Sequence, residues 1–212
     1  MLEVPQKKSL LYFIRLKKRI IFPVFRKKKI FISSIFKFCY TINEIFKREE
    51  DTNMHLYFAA PMFAKSELLY NASVVQKIRK AHPEVTIYLP QENAAINDKQ
   101  SYADSQMIAL ADTEKVLESQ LVIAILDGLS IDPGVASEIG VAYAKDIPIL
   151  GLYTDTRQQG ATNSKKVEAL HETAENQFHY VNLYTIGLIK ARGDVFDSEA
   201  GLLQALEDYL AK

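Results

Sequence analysis

Between residues 132 and 144 the chain reads DPGVASEIGVAYA, a single acid after the opening aspartate, set among small and apolar residues. At helical spacing the neighbours of Glu138 are Gly134, Val135, Val141 and Ala142, with no Lys or Arg three or four places away to pair with it. A carboxylate so placed stands at the edge of a cavity or is buried at a large cost in solvation. At a cavity edge it could attack an electrophilic carbon, as carboxylates do in glycosyl transfer. The residues alone leave an ordinary helix acid equally open.

Other chemistries lack their residues. No GxGxxG follows the first strand-like run and there is no Walker A loop, so the usual dinucleotide and triphosphate grips are unsupported. His55, His82, His171 and His179 fall in separate elements without metal-ligand spacing, and no metal site is expected. No serine sits in a G-x-S-x-G turn. What remains is carboxylates, a tyrosine and amides, the groups that glycosyl chemistry uses.

These groups need elements to hold them. Leu121 to Leu126 is six apolar residues without alternation, as expected of a strand covered on both faces. After it Asp132 is a good N-cap and Pro133 suits the first helical position. Gly134, Ala136, Ser137, Gly140, Ala142 and Ala144 keep that helix thin, so that backbone or a ligand can come close. The other expected strands are His55 to Ala60, Val85 to Leu89, Ile147 to Tyr153 and Phe178 to Val181. The other expected helices are Lys65 to Ala81, Asp104 to Gln120 with Met107, Ile108, Ala111, Val116 and Leu117 inward, a short one around Lys165 to Glu175, and Ser198 to Leu210. Polar loops at Pro90 to Ser101 and Thr154 to Ser164 are too long to be mere connectors.

Strand–helix alternation with apolar strands implies an α/β fold, a doubly wound parallel sheet with helices on both faces. Five strands in about 160 residues suit the flavodoxin-like order 2-1-3-4-5. Its switch point lies between the first and third strands, with ligands beyond their carboxyl ends. The loops there are Ala59 to Phe63 and Asp127 to Asp132, and Glu138 lies on the helix that the second loop feeds. Asp127, just before Gly128, fits a site residue or a turn former. Asp104 and Asp112 read as solvated helix acids.

The net charge of zero conceals a split. Residues 1–53 carry about +8 and residues 54–212 about −8, so the body is a poor grip for a nucleic acid backbone. In residues 1–53 clusters of Lys and Arg alternate with clusters of Phe and Ile, holding no helix or strand period. A basic arm for an anionic membrane or a partner fits this pattern. The favoured alternative is an extension outside the working fold, with Met54 the natural start of a domain spanning 54–212. No run reaches the ~18 apolar residues of a spanning helix, and no signal-peptide cleavage pattern is present. The one cysteine, Cys39, lies in the extension, leaving the body no thiol for a disulfide, zinc or nucleophile. A cytoplasmic location is expected.

Three stretches together resemble the nucleoside 2-deoxyribosyltransferase family: Tyr57-Phe58-Ala59-Ala60-Pro61-Met62-Phe63, Leu89-Pro90-Gln91-Glu92-Asn93, and DPGVASEIGVAYA at 132–144. The resemblance covers 54 to about 190, and its third motif is the most specific. It implies that Glu138 attacks C1′ of a 2′-deoxynucleoside, the base leaves, and a second base attacks the deoxyribosyl ester with net retention. A carbon lacking an electron-withdrawing 2′-OH is a willing electrophile for a weak carboxylate nucleophile.

By the same resemblance Tyr57 holds the glutamate in line, and Asp132 hydrogen-bonds the nucleobase and helps to protonate it. Asn176 matches a residue that reaches a neighbouring subunit's deoxyribose, implying a homo-oligomer with shared sites. The expected substrate-binding set is Asp132, Gly134, Ala60, Pro61, Asn93, Gln120, Asp127 and Asn176. Two members depart from the family: Gln120 stands where many relatives have an acid, and Ala60 replaces a common glycine. Gln can hydrogen-bond a base but cannot protonate it.

The implied substrates are small molecules, a 2′-deoxynucleoside and a free nucleobase, with no polymeric nucleic acid and no membrane for the body. No cofactor is called for, because the covalent ester does that work. Hydrolysis of 2′-deoxynucleosides or their 5′-monophosphates is the nearest alternative, and a non-catalytic nucleotide sensor is a third.

Overall fold

A computed structural model of the chain describes residues 53–97, 102–157, 162–175 and 180–212. Within Asn53–Lys212 five parallel strands form one sheet in the order β2-β1-β3-β4-β5. They are β1 His55–Ala59, β2 Thr86–Tyr88, β3 Leu121–Ile125, β4 Ile149–Leu152 and β5 Gly193–Phe196. The flavodoxin-like order expected from strand–helix alternation is the one observed. Every residue of β3 and β4 is buried, as the unbroken apolar runs require of strands covered twice.

Strand alternation sorts the core into two layers. Leu56, Phe58, Leu121, Ile123 and Leu152 pack with Val74, Val75 and Ile78 of α1 (Lys65–Ala81) and with Leu202 and Leu206 of the C-terminal helix, Glu199–Leu210. Tyr57, Ala59, Val122, Ala124 and Ile149 point to the other face. There they meet Val116, then Val135, Ile139 and Ala142, then Ile189. These come from three helices, Ser105–Glu118, Pro133–Ala144 and Leu183–Lys190. Counting the one-turn helices Ala94–Asn97 and Ser164–Glu168, these become α2 (94–97), α3 (105–118), α4 (133–144), α5 (164–168), α6 (183–190) and α7 (199–210). Tyr57 thus lies on the α3, α4 and α6 side of the sheet.

Two expectations need correction. The fifth strand is Gly193–Phe196 rather than Phe178 to Val181; Tyr180 and Val181 carry no strand, and Phe178 and His179 lie outside the described residues. As a four-residue edge beginning Gly-Asp, with only Val195 and Phe196 half-buried, β5 lacks the apolar run that marks an inner strand. It is preceded by α6, capped by Asn182, whose Oδ1 accepts from the N–H groups of Tyr184 and Thr185.

Second, of the inward set expected on α3 only Val116 is buried, and Met107 is 53% exposed. Ile108 and Leu110 are exposed with it, and full burial comes only at Val116 near the end of the helix, which packs on β1 and on α4. Among the described residues no helix is long and apolar enough to cross a membrane.

Candidate active site

The crevice lies where β1 and β3 diverge to opposite neighbours, at the carboxyl ends of the strands. Its first loop is pinned from beneath. The buried Asn71 of α1 donates from Nδ2 to the Pro61 carbonyl at 2.8 Å and to Gln91 Oε1 at 3.1 Å. Gln91 Nε2 in turn donates to the Leu68 carbonyl at 3.0 Å. The loops after β1 and β2, which carry Ala60–Pro61 and Asn93, are therefore tied through one amide. Glu67 accepts from the N–H groups of Phe63 and Ala64 at 2.8 and 2.6 Å, closing the entry to α1.

The second loop turns at Gly128, where φ is +137° and a Cβ would meet the Ser130 carbonyl oxygen at 3.0 Å. It ends on Asp132, whose Oδ1 accepts from the N–H groups of Gly134 (2.8 Å) and Val135 (3.1 Å), the N-cap expected from sequence. A Cβ on Gly134 would stand 2.9 Å from that oxygen, the mobile end of the Asp132 side chain. Asp127 is used differently. Its Oδ1 accepts from the Thr154 N–H and its Oδ2 from the Thr154 hydroxyl, both at 2.7 Å, clamping the ends of β3 and β4 together.

One and a half turns into α4, about 8 Å along its axis, the half-buried Glu138 meets the sheet. The hydroxyl of the fully buried Tyr57 donates to Glu138 Oε1 at 2.5 Å. Burial lifts the Glu138 carboxyl from 4.5 to about 7; the Tyr57 hydrogen bond pulls it down, and the charges of Asp112 and Asp132 push it further up. Burial, and next the charge of Glu138, hold the Tyr57 phenol far above its ordinary value, so it stays a proton donor at every working pH.

Two further groups join them that sequence reasoning passed over. The Tyr88 ring stacks on that of Tyr57, centroids 5.4 Å apart, and its hydroxyl donates to Asp112 Oδ1 at 3.1 Å. Asn93 Nδ2 donates to the same hydroxyl at 2.9 Å. Asp112 is therefore not a solvated helix acid. Lys115, three residues on, pairs instead with Glu118 at 2.7 Å, and burial raises the Asp112 carboxyl against the lowering effect of Tyr88. Asp104 caps α3 through the Met107 N–H at 2.8 Å.

The structure thus gathers Glu138, Tyr57, Asp132, Gly134, Ala60, Pro61 and Asn93 around the switch point. Gln120 is not among them. It is exposed at the amino-terminal edge of the sheet, where its Oε1 accepts from the His55 N–H at 2.6 Å, roughly 20 Å along β3 from the carboxyl end. Its side chain serves the start of β1, a role set by register and invisible in a residue-by-residue match. Asn176 lies outside the described residues. Among the described residues no cluster of three His, Cys, Asp or Glu has the arrangement of a metal site.

An acid lifted towards neutrality, held by a phenol and flanked by two more carboxylates, suits attack on a sugar carbon with proton traffic to a leaving base. The family model for nucleoside 2-deoxyribosyltransferases matches residues 56–182, which contain all of these groups. The chain belongs to the nucleoside 2-deoxyribosyltransferase family. A solved structure of a conserved protein from Enterococcus faecalis V583 is 60% identical, with a TM-score of 0.71, over 74% of this chain and 99% of that one.

Two solved enzymes are more distant. A 2-deoxyribosyltransferase from Bacillus psychrosaccharolyticus shares 17% identity over 70% of this chain and 89% of its own, with a TM-score of 0.49. A 2-desoxiribosyltransferase from Leishmania mexicana shares 22% over 71% and 95%, with the same score. No curated protein matches the chain. As a family member the protein is a glycosyl-transferring or glycosidic enzyme; members of the family act on small nucleosides and nucleobases.

Proposed function

We propose that the protein transfers 2-deoxyribose between nucleobases through a covalent ester on Glu138. The observation that carries this reading is the 2.5 Å hydrogen bond from Tyr57 to Glu138 Oε1, which fixes one carboxylate oxygen and leaves Oε2 to attack. With a carboxyl pKa of about 7, a useful fraction of Glu138 is ionised at neutral pH, and burial withholds the water that would blunt it.

The first half-reaction runs as follows. An electron pair of Glu138 Oε2 forms a bond to C1′ as the C1′–N bond breaks, and that bond's pair stays on the base nitrogen. Asp112, whose carboxyl is raised by burial, supplies the proton that the departing base needs, and Asp132 can hydrogen-bond that base. In the second half a new base attacks C1′, Glu138 leaves as carboxylate, and the acid recovers its proton from the incoming base. Two inversions give net retention. Asp132 can hydrogen-bond the base while capping α4, since the cap occupies Oδ1.

The exposed Phe63 and Leu129, one in each crevice loop, offer apolar surface for a flat heterocycle. Asn176, by the resemblance described above, serves the sugar of a neighbouring copy in a homo-oligomer with shared sites.

The test is incubation with deoxyinosine and adenine, followed by chromatography, with intact-protein mass recorded on deoxyinosine alone. New deoxyadenosine and a deoxyribosyl adduct absent from Glu138→Ala are expected. Free hypoxanthine without deoxyadenosine would assign hydrolysis instead, and no turnover with no adduct would overturn the reading.

A further inference from the structure

Tyr88, the last residue of β2, lies beside Tyr57 in the sheet register. Three contacts define it: its ring on Tyr57, its hydroxyl on Asp112, and the Asn93 amide on that hydroxyl. The polarity of this chain is fixed at one end. Asn93 Oδ1 accepts from the Ala95 N–H at 3.2 Å, so its NH₂ is the group that faces Tyr88. A phenol has a single proton. With Asn93 donating to its oxygen, that proton goes to Asp112 Oδ1. Among the described residues Asp112 Oδ2 receives no such donor.

We propose that Tyr88 is the positioning residue of the site, its Asn93-oriented hydroxyl fixing Asp112 so that Oδ2 faces the leaving base, while its ring keeps Tyr57 in line with Glu138. The inference rests on the transfer reading given above. As the C1′–N bond breaks, its electron pair goes to the base nitrogen and the proton on Asp112 Oδ2 follows it. The carboxylate left behind is stabilised at Oδ1 by the hydroxyl already pointing there. Charged and titratable groups facing Asp112 come from three elements: Tyr88 from β2, Tyr57 from β1 and Glu138 from α4. Burial holds the Tyr88 phenol up to about 12, so it remains a donor throughout the working range.

The decisive variants are Tyr88→Phe, which keeps the ring and deletes the hydroxyl, and Asn93→Ala, which leaves the hydroxyl without its orienting amide. In Tyr88→Phe, Asp112 loses a hydrogen bond that favours its charged form, so its pKa rises. The limb of kcat/KM that reports Asp112 moves to higher pH. At the wild-type optimum kcat falls about tenfold, with KM within about twofold. The limb set by Glu138 moves less, because the stacked ring still holds Tyr57 against it. Asn93→Ala moves the same limb in the same direction by less. Tyr88→Leu, which removes the ring as well, moves both limbs.

Superimposable pH profiles and equal kcat for wild type and Tyr88→Phe would overturn the proposal. A second readout needs no turnover. Carbon-13 carboxyl NMR of the full chain without substrate, with Asp112 assigned by its loss in Asp112→Asn, should show the Asp112 titration shifted upward in Tyr88→Phe. An unshifted titration refutes the coupling even if transfer is observed. A shifted one upholds it even if the wild-type protein proves to hydrolyse rather than transfer.

Discussion

Tyr57 and Glu138, 81 residues apart in sequence, meet through a 2.5 Å hydrogen bond that joins the inside of a strand to the side of a helix. The bond opposes the effect of burial on the glutamate, and its removal has a calculable consequence. In Tyr57→Phe the glutamate loses a donor to its charged form, so its carboxyl rises above about 7. The acid limb of the kcat/KM profile, expected near pH 7 in the wild type, should move to higher pH. At pH 6.5 the rate should fall roughly 10- to 100-fold, the range for a hydrogen bond to a charged group. Steady-state rates across pH 5 to 9 check both.

Glu138 also weakens the fold that holds it. Its folded-state pKa of about 7 lies above its ordinary 4.5, so the native state binds the proton more tightly than the unfolded chain. The corresponding stability is fully present below pH 4.5 and is lost as pH rises through 7. Glu138→Gln stays neutral throughout and can still accept from Tyr57. Relative to wild type it should gain roughly 2 kcal/mol at pH 8 and little at pH 5, a rise in Tm of roughly 5 °C at the higher pH only. Thermal denaturation at the two pH values would show it, alongside loss of transfer in the same variant.

Asp132 holds two offices that substitution can separate. Asn caps helices as well as Asp, so Asp132→Asn should keep its Tm while slowing base departure through loss of the carboxylate that meets the base. Asp132→Ala loses both, with about 1 kcal/mol of stability gone from the start of α4. Equal activity losses with unequal Tm values would uphold the division. Full activity in Asp132→Asn would remove Asp132 from the chemistry.

Both oxygens of Asp127 are occupied by Thr154. Thr154→Val deletes the hydroxyl and leaves Oδ2 without its donor in a half-buried place, which should cost about 1–2 kcal/mol and lower Tm by roughly 3–6 °C. If Asp127 acts as the clamp between β3 and β4, kcat at 25 °C should change by less than about twofold. A large fall in kcat with an unchanged Tm would instead place Asp127 against substrate.

Much of this was legible in the chain itself. Six unbroken apolar residues at 121–126, with a cap, a proline and small residues after them, were enough to place β3, α4 and the turn between. Glu138 stood out because nothing at helical spacing could pair with it. Strand order then followed from alternation, and the crevice from strand order. Less visible was anything set by the meeting of distant elements. Asp112 has Lys115 at a pairing distance in sequence, which disguises an acid that in fact turns inward to Tyr88. Tyr88 itself reads as strand filler until the register brings it beside Tyr57. Gln120 shows the converse: the match to an acid in relatives put it in the site, although its place just before the run 121–126 already sets it at the amino-terminal end of β3. The edge strand β5 has too few apolar residues to announce itself.

The reactive pair is drawn from a strand interior and a packed helix, so neither member relies on a loop for its place. The segments around the mouth at 60–63 and 128–131 can change composition without touching either member of the pair. For the proposed transfer, which heterocycle is accepted and whether it can be exchanged at all are thereby separable traits, open to independent drift or to redesign.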